Sequence, residues 1–117
     1  MNNLNAQPIS LTPISLTPIL GTPLLYQVNA DTVGKAVPIQ NQRLHNLAVQ
    51  GANFGSGTVA IEWSLDGTTW SPLLGTDGKA ITFTQNGLVG SLSINGIYLR
   101  ASLSGSTGAQ NVTVTLN

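Results

Sequence analysis

The chain of 117 residues (12.1 kDa) has room for one domain and a tail, and only 7% of it is charged, against roughly 25% in an ordinary soluble domain. Lys35, Arg43, Lys79, Arg100, Asp31, Glu62, Asp66 and Asp77 sum to zero, so no long-range field draws the protein to nucleic acid or to an anionic membrane surface. With no cysteine there are no disulfides and no thiolate metal sites, which fits synthesis in a reducing compartment.

The start, Met1-Asn2-Asn3-Leu4-Asn5, has neither the basic nor the apolar region of a secretory signal. No stretch approaches the roughly 18 apolar residues of a membrane span. Synthesis in the cytoplasm, with no membrane partner, is therefore expected. Hydrophobic residues still reach 41%, and the polarity comes from Ser, Thr, Asn, Gln and 13 glycines. A neutral surface of that kind favours packing against other protein.

Residues 1–23 form a predicted N-terminal arm. Pro8-Ile9-Ser10-Leu11-Thr12 is followed by Pro13-Ile14-Ser15-Leu16-Thr17, then by Pro18-Ile19-Leu20-Gly21-Thr22, and Pro23 closes the series. Proline at every fifth position excludes a helix, and the threonines before Pro13, Pro18 and Pro23 are pushed to extended dihedrals. Fully stretched, at about 3.1 Å per residue, such a leader spans on the order of 70 Å.

Within each repeat the Ile and the Leu share one face of an extended chain. Five is odd, so successive pairs fall on opposite faces unless proline bends the path. A floppy linker would not carry Ile9, Leu11, Ile14, Leu16, Ile19 and Leu20 so densely, because exposed aliphatics are costly. The arm is thus expected to dock on other polypeptide through these side chains and Pro8, Pro13, Pro18 and Pro23. Aliphatic burial alone does not offset the ordering of some twenty residues at about 1–2 kcal/mol each. The arm should therefore be loose on an isolated subunit and ordered only in an assembly.

Residues 24–117 read as β throughout, with no run of helical periodicity. Thr58–Leu65 places Val59, Ile61, Trp63 and Leu65 on one face and Thr58, Ala60, Glu62 and Ser64 on the other. Ile97–Leu103 points Ile97, Leu99, Ala101 and Leu103 inward, and Asn111–Asn117 does so with Val112, Val114 and Leu116. Weaker strands are expected over Leu24–Val28, Ala36–Gln40, Leu44–Gln50, Ala80–Gln85 and Leu88–Ile94. Turn signals fall at Asp66-Gly67, Asp77-Gly78, Asn86-Gly87, Asn95-Gly96 and Gly105-Ser106-Thr107-Gly108. The fold predicted is all-β: an antiparallel β-sandwich or jelly-roll-like domain of about seven or eight short strands, each sheet with one buried face.

Chemistry has few parts to work with, and no catalytic, cofactor-binding or metal-binding residue is expected. His45 is the only histidine and lies in phase with Leu47 and Val49, as a structural residue would. No serine sits in a Gly-x-Ser-x-Gly setting, and the four acids are scattered. Glu62 and Asp66 share the outward phase, but Asp66 precedes Gly67, where its carboxylate most simply bonds the turn backbone. Gly55-Ser56-Gly57-Thr58-Val59-Ala60 matches G-x-G-x-x-A only in form, because a strand follows where a helix N-terminus is required. Asn111-Val112-Thr113 is a sequon without a secretory context. Trp63 shares the parity of Val59 and Ile61, so burial is expected. Ser64-Leu65-Asp66-Gly67-Thr68-Thr69-Trp70 resembles a single shortened Asp-box, here read as a hairpin closed by a tryptophan.

From Glu62 to Asn117 the chain resembles small β-sandwich virion structural proteins of tailed bacteriophages. The residues that carry this are Trp63-Ser64-Leu65-Asp66-Gly67-Thr68-Thr69-Trp70, Tyr98-Leu99-Arg100-Ala101, Ser104-Gly105-Ser106-Thr107-Gly108-Ala109 and Val112-Thr113-Val114-Thr115-Leu116. The proline repeat is not part of the resemblance. It implies a non-enzymatic capsid decoration or cement protein, often a homotrimer, that sits on the virion surface and clamps neighbouring major capsid protein subunits. Two other roles compatible with such a sandwich are a carbohydrate- or receptor-binding module of a fibre or tail, which requires an exposed aromatic platform, and a tail or baseplate component.

Overall fold

Strands form here because apolar β-formers recur at every second position and glycine, Asn and Asp interrupt them at short intervals. The computed structural model describes residues 24–39, 44–94 and 98–116. The proline-repeat arm, with its proposed contacts from Pro8 to Pro23, lies outside the described residues, as do the Asn95-Gly96 turn and Ile97.

Ten strands are described: β1 (Leu24–Val28), β2 (Thr32–Val33), β3 (Val37–Pro38), β4 (Leu44–Gln50), β5 (Thr58–Ser64), β6 (Ser71–Pro72), β7 (Thr82–Phe83), β8 (Gly87–Ser93), β9 (Tyr98–Ser104) and β10 (Val112–Leu116). All pairings are antiparallel. One sheet has the order β1-β10-β4-β8; in the other, β2 and β3 flank β9, β9 pairs β5, and β6 and β7 flank β5. If β2 with β3, and β6 with β7, are each taken as one interrupted strand, the described order is that of an eight-position jelly roll. The expected all-β sandwich is the fold of the protein.

The inner rows come largely from the strands read most clearly in the sequence. Leu47, Val49, Val112 and Val114 of the first sheet are fully buried, as are Val59, Leu99 and Ala101 of the second, with Ile61, Leu103 and Leu116 close behind. Each such valine, leucine or isoleucine contributes about 1.5–3 kcal/mol relative to exposure. The expected phase fails at the end of β5, where the strand stops at Ser64 and leaves Leu65 exposed, while Ser64 is buried because its hydroxyl anchors the following turn. In β1 a register shift between Leu24 and Tyr26 lets the adjacent Leu25 and Tyr26 both point inward.

Two further departures have local causes. Among the described residues, the strands expected over Ala36–Gln40 and Ala80–Gln85 join their sheet only across Val37–Pro38 and Thr82–Phe83, with Ala80 in a separate bridge to Leu74. Asn86-Gly87 is not a hairpin: it carries the chain from β7 in one sheet to β8 in the other. The Asn86 side-chain oxygen accepts a hydrogen bond from Gly51 N (2.8 Å), which ties this crossing to the end of β4.

Tyr26 joins the two sheets. Its hydroxyl accepts from Leu103 N at 2.9 Å and donates to the carbonyl of Thr32. Burial raises its pKa above the ordinary tyrosine value. Gly34 makes room for the ring, since a Cβ there would lie 2.8 Å from Tyr26 Cδ1 and 2.7 Å from the Ala101 carbonyl oxygen. Tyr26→Phe strands the Leu103 N–H and the Thr32 carbonyl and is expected to cost about 1–3 kcal/mol. Urea denaturation checks this: the midpoint should fall at unchanged slope, and an unaltered midpoint would refute the role given to the hydroxyl.

Candidate interaction surface

Every acidic side chain of the protein already has structural work. Asp31 accepts from Gly105 N and Ser106 N, both at 3.0 Å, and from the Ser106 hydroxyl. Asp77 accepts from Lys79 N at 3.0 Å within the β6–β7 turn. Glu62 pairs with Arg100, Oε1 to Nε at 2.7 Å. Asp66 accepts from Thr68 N and Thr69 N and from the Ser64 hydroxyl, each at 2.9 Å, while the Ser64 oxygen accepts from Gly67 N.

His45 points inward from β4 and is buried. Among the described residues no three His, Cys, Asp or Glu side chains gather where they could hold a metal ion. The glycines of Gly55-Ser56-Gly57 form the turn ahead of β5. Gly55 and Ser56 take positive φ, and a Cβ on Gly55 would meet the Thr107 carbonyl oxygen at 2.5 Å. β5 follows directly, so the turn does not lead into a helix N-terminus. Asn111 is exposed, and its N–H donates to Asn29 Oδ1 at 2.7 Å, a contact that clasps two loops at one end of the sandwich.

The loop from Ser64 to Trp70 is the hairpin between β5 and β6, held by Asp66. Trp63 is partly buried and packs against the core. Trp70 is also partly buried, but its ring meets the Arg100 guanidinium, 4.3 Å from the ring centroid, rather than the core. Trp70, Arg100 and Glu62 thus make a brace across β5 and β9. Tyr98, further along β9, is 38% exposed.

The first sheet has a different outer face. None of its four strands contains Asp, Glu, Lys or Arg. Backbone register sets Leu24, Thr115, Ala48 and Leu88 in one row across it. On that face Leu88 and Leu44 are 70% and 62% exposed, and the remaining outward positions, such as Gln27, Asn46, Gln50 and Thr113, are neutral. Leu44 and Ala48 were legible as the phase opposite to His45, Leu47 and Val49. That Leu88 lies beside Ala48 depends on the β4–β8 pairing.

A second feature is a groove of about 470 Å³ where the edge strand β1 of one sheet faces β2 and β3 of the other. Leu25 and Tyr26 lie at its base, with Val28, Val33, Val37 and Pro38 along it, and Val33 is 61% exposed. Neither the groove nor its edge could be read from the sequence, because both depend on which strands stand outermost.

No family model, curated protein or solved structure matches the chain.

The turn carboxylates give the fold a defined acid response. Asp66 is held well below the ordinary 3.8, first by the Thr69 and Thr68 N–H groups, and Asp31 is lowered mainly by the Ser106 hydroxyl and N–H. A depressed pKa in the folded state means stability that is full above the unfolded value and lost as pH falls through and below about 4. Stability should decline as pH falls through and below about 4, and Asp66→Asn should make that decline shallower. Urea midpoints measured from pH 7 to 2 check this, and an identical acid slope in Asp66→Asn would refute it.

Proposed function

We propose that this protein is a non-enzymatic virion structural protein of a tailed bacteriophage: a capsid decoration or cement protein that seats on the particle surface and clamps neighbouring major capsid subunits. The observation that carries this reading is the uncharged outer face of the β1-β10-β4-β8 sheet, with Leu44 and Leu88 exposed on it. A broad neutral sheet face on a rigid sandwich suits contact with another protein surface. The engagement of all four acids in turns or in an ion pair leaves none poised for acid–base work. The resemblance from Glu62 to Asn117 points the same way, and the proline-rich leader adds reach across a seam between subunits.

A carbohydrate- or receptor-binding role in a fibre or tail is the second reading, and it draws on Trp70 and Tyr98 at the surface. It requires a sugar to shield tryptophan fluorescence from a soluble quencher. The cement role predicts that sugar leaves the quenching unchanged, because its contact face lies on the opposite sheet from Trp70.

Co-sedimentation with empty shells of the cognate major capsid protein tests the proposal. Two leucines buried at about 1.5–3 kcal/mol each make Leu44→Asp with Leu88→Asp weaken binding by roughly 100-fold or more. Far-UV circular dichroism should be unchanged, because both positions are exposed. Undiminished binding by the folded double variant would remove this face from the contact.

A further inference from the structure

We infer that the groove between β1 and the β2–β3 edge receives residues 9–17 of the arm of a second copy of this chain, as an added strand on β1. The inference deepens the cement reading and rests on it, since it names the partner of the arm within the assembly.

Among the described residues β1 is the last strand of its sheet, paired only with β10. Alternate residues along such an edge direct their N–H and C=O away from the sheet, here toward the groove. The other edges are less receptive. β2, β3, β6 and β7 have two residues each, and β6 contains Pro72. On the far side of the first sheet β8 is interrupted where Ser91 takes a φ of 58° and the register with β4 shifts. The β1 groove adds apolar walls to its open backbone, with Val28, Val33 and Val37 along it.

The arm has matching chemistry. Residues 1–23 carry no charge. In a strand, successive N–H groups face opposite sides, so prolines five apart do the same. A strand paired on one side only can therefore contain Pro13 facing outward, while Pro8 and Pro18 mark the ends of the pairing. That defines the stretch Ile9–Thr17, long enough to cover the five residues of β1, with Ile9 and Leu11 on one face and Ile14 and Leu16 on the other. Strand addition of this kind takes affinity from the main chain and specificity from alternate side chains.

A second copy, rather than the arm's own body, follows from how the leader meets β1. Pro23 directly precedes Leu24, and the residue before a proline is steered away from the helical dihedrals of a tight turn. An extended leader, which the repeated prolines favour, would leave β1 in line with it and away from its own groove. Arms passed head-to-tail from copy to copy close into a ring when the rotation permits, as the trimer implied by the resemblance would need.

The protein has no cysteine, so introduced pairs report without background. Full-length Leu11→Cys protein is mixed with full-length Val33→Cys protein under mild oxidation, and separately with Leu88→Cys protein, whose thiol stands at the other edge of the sheet. Docking raises the local concentration of the paired thiols, so the Val33 mixture should form the disulfide-linked heterodimer at least about tenfold faster than the Leu88 mixture. Equal rates in the two mixtures would overturn the inference. So would a Leu11→Cys/Val33→Cys double variant whose disulfide closes only within single chains, which would return the arm to its own body. Shell co-sedimentation of the unmodified protein separates the two levels. Shell binding without selective cross-linking sinks the arm exchange alone, and selective cross-linking without shell binding sinks the cement role alone.

Discussion

Two sheets of alternating pattern can hide their inner rows only from each other, and this constraint governs the protein. Among the described residues Leu47, Val49, Val112 and Val114 have no helix to pack on. They meet Val59, Ile61, Leu99 and Leu103 across the sandwich. Because consecutive segments must supply both layers, the chain crosses repeatedly from one sheet to the other, and the jelly-roll order results. Tyr26 is placed where that constraint is tightest, with its ring in the core and its hydroxyl bonded to β9 and to the carbonyl of Thr32.

The crossings explain why so polar a sequence needs so few charges. Short side chains bonded to the backbone, rather than ion pairs, hold the loops: Asn29 to Asn111, Asp31 to Ser106, Asn86 to Gly51, and Asp66 to its own turn. Each satisfies backbone groups that a crossing loop would otherwise leave open. The same chemistry that builds these loops occupies the carboxylates.

The two outer faces divide the work. One bears the Arg100–Glu62 pair against Trp70, which knits β5 to β9. The other is free of charge, with two exposed leucines, and beside it runs an open sheet edge over an apolar groove. A broad neutral face and a groove suited to an extended chain are complementary devices for a protein whose proposed role is to join others, one for seating and one for lacing.

The alternation of Val59 with Ile61, of Leu99 with Ala101 and Leu103, and of Val112 with Val114 and Leu116 was fully legible, because a period of two is a property of neighbouring residues. So were the Asp66-Gly67 turn, the strand that follows Gly55-Ser56-Gly57, and the inward histidine. The exceptions lie at Leu65 and Ser64, where a turn overrode the strand phase, and at Asn86-Gly87, where a turn signal marked a change of sheet. What local pattern could not decide was adjacency. Leu24 stands beside Thr115, and Leu88 beside Ala48, through pairings between distant parts of the chain that depend on how both sheets close over one core. The neutral face and the β1 groove are products of that closure, so tertiary structure alone brought them into being.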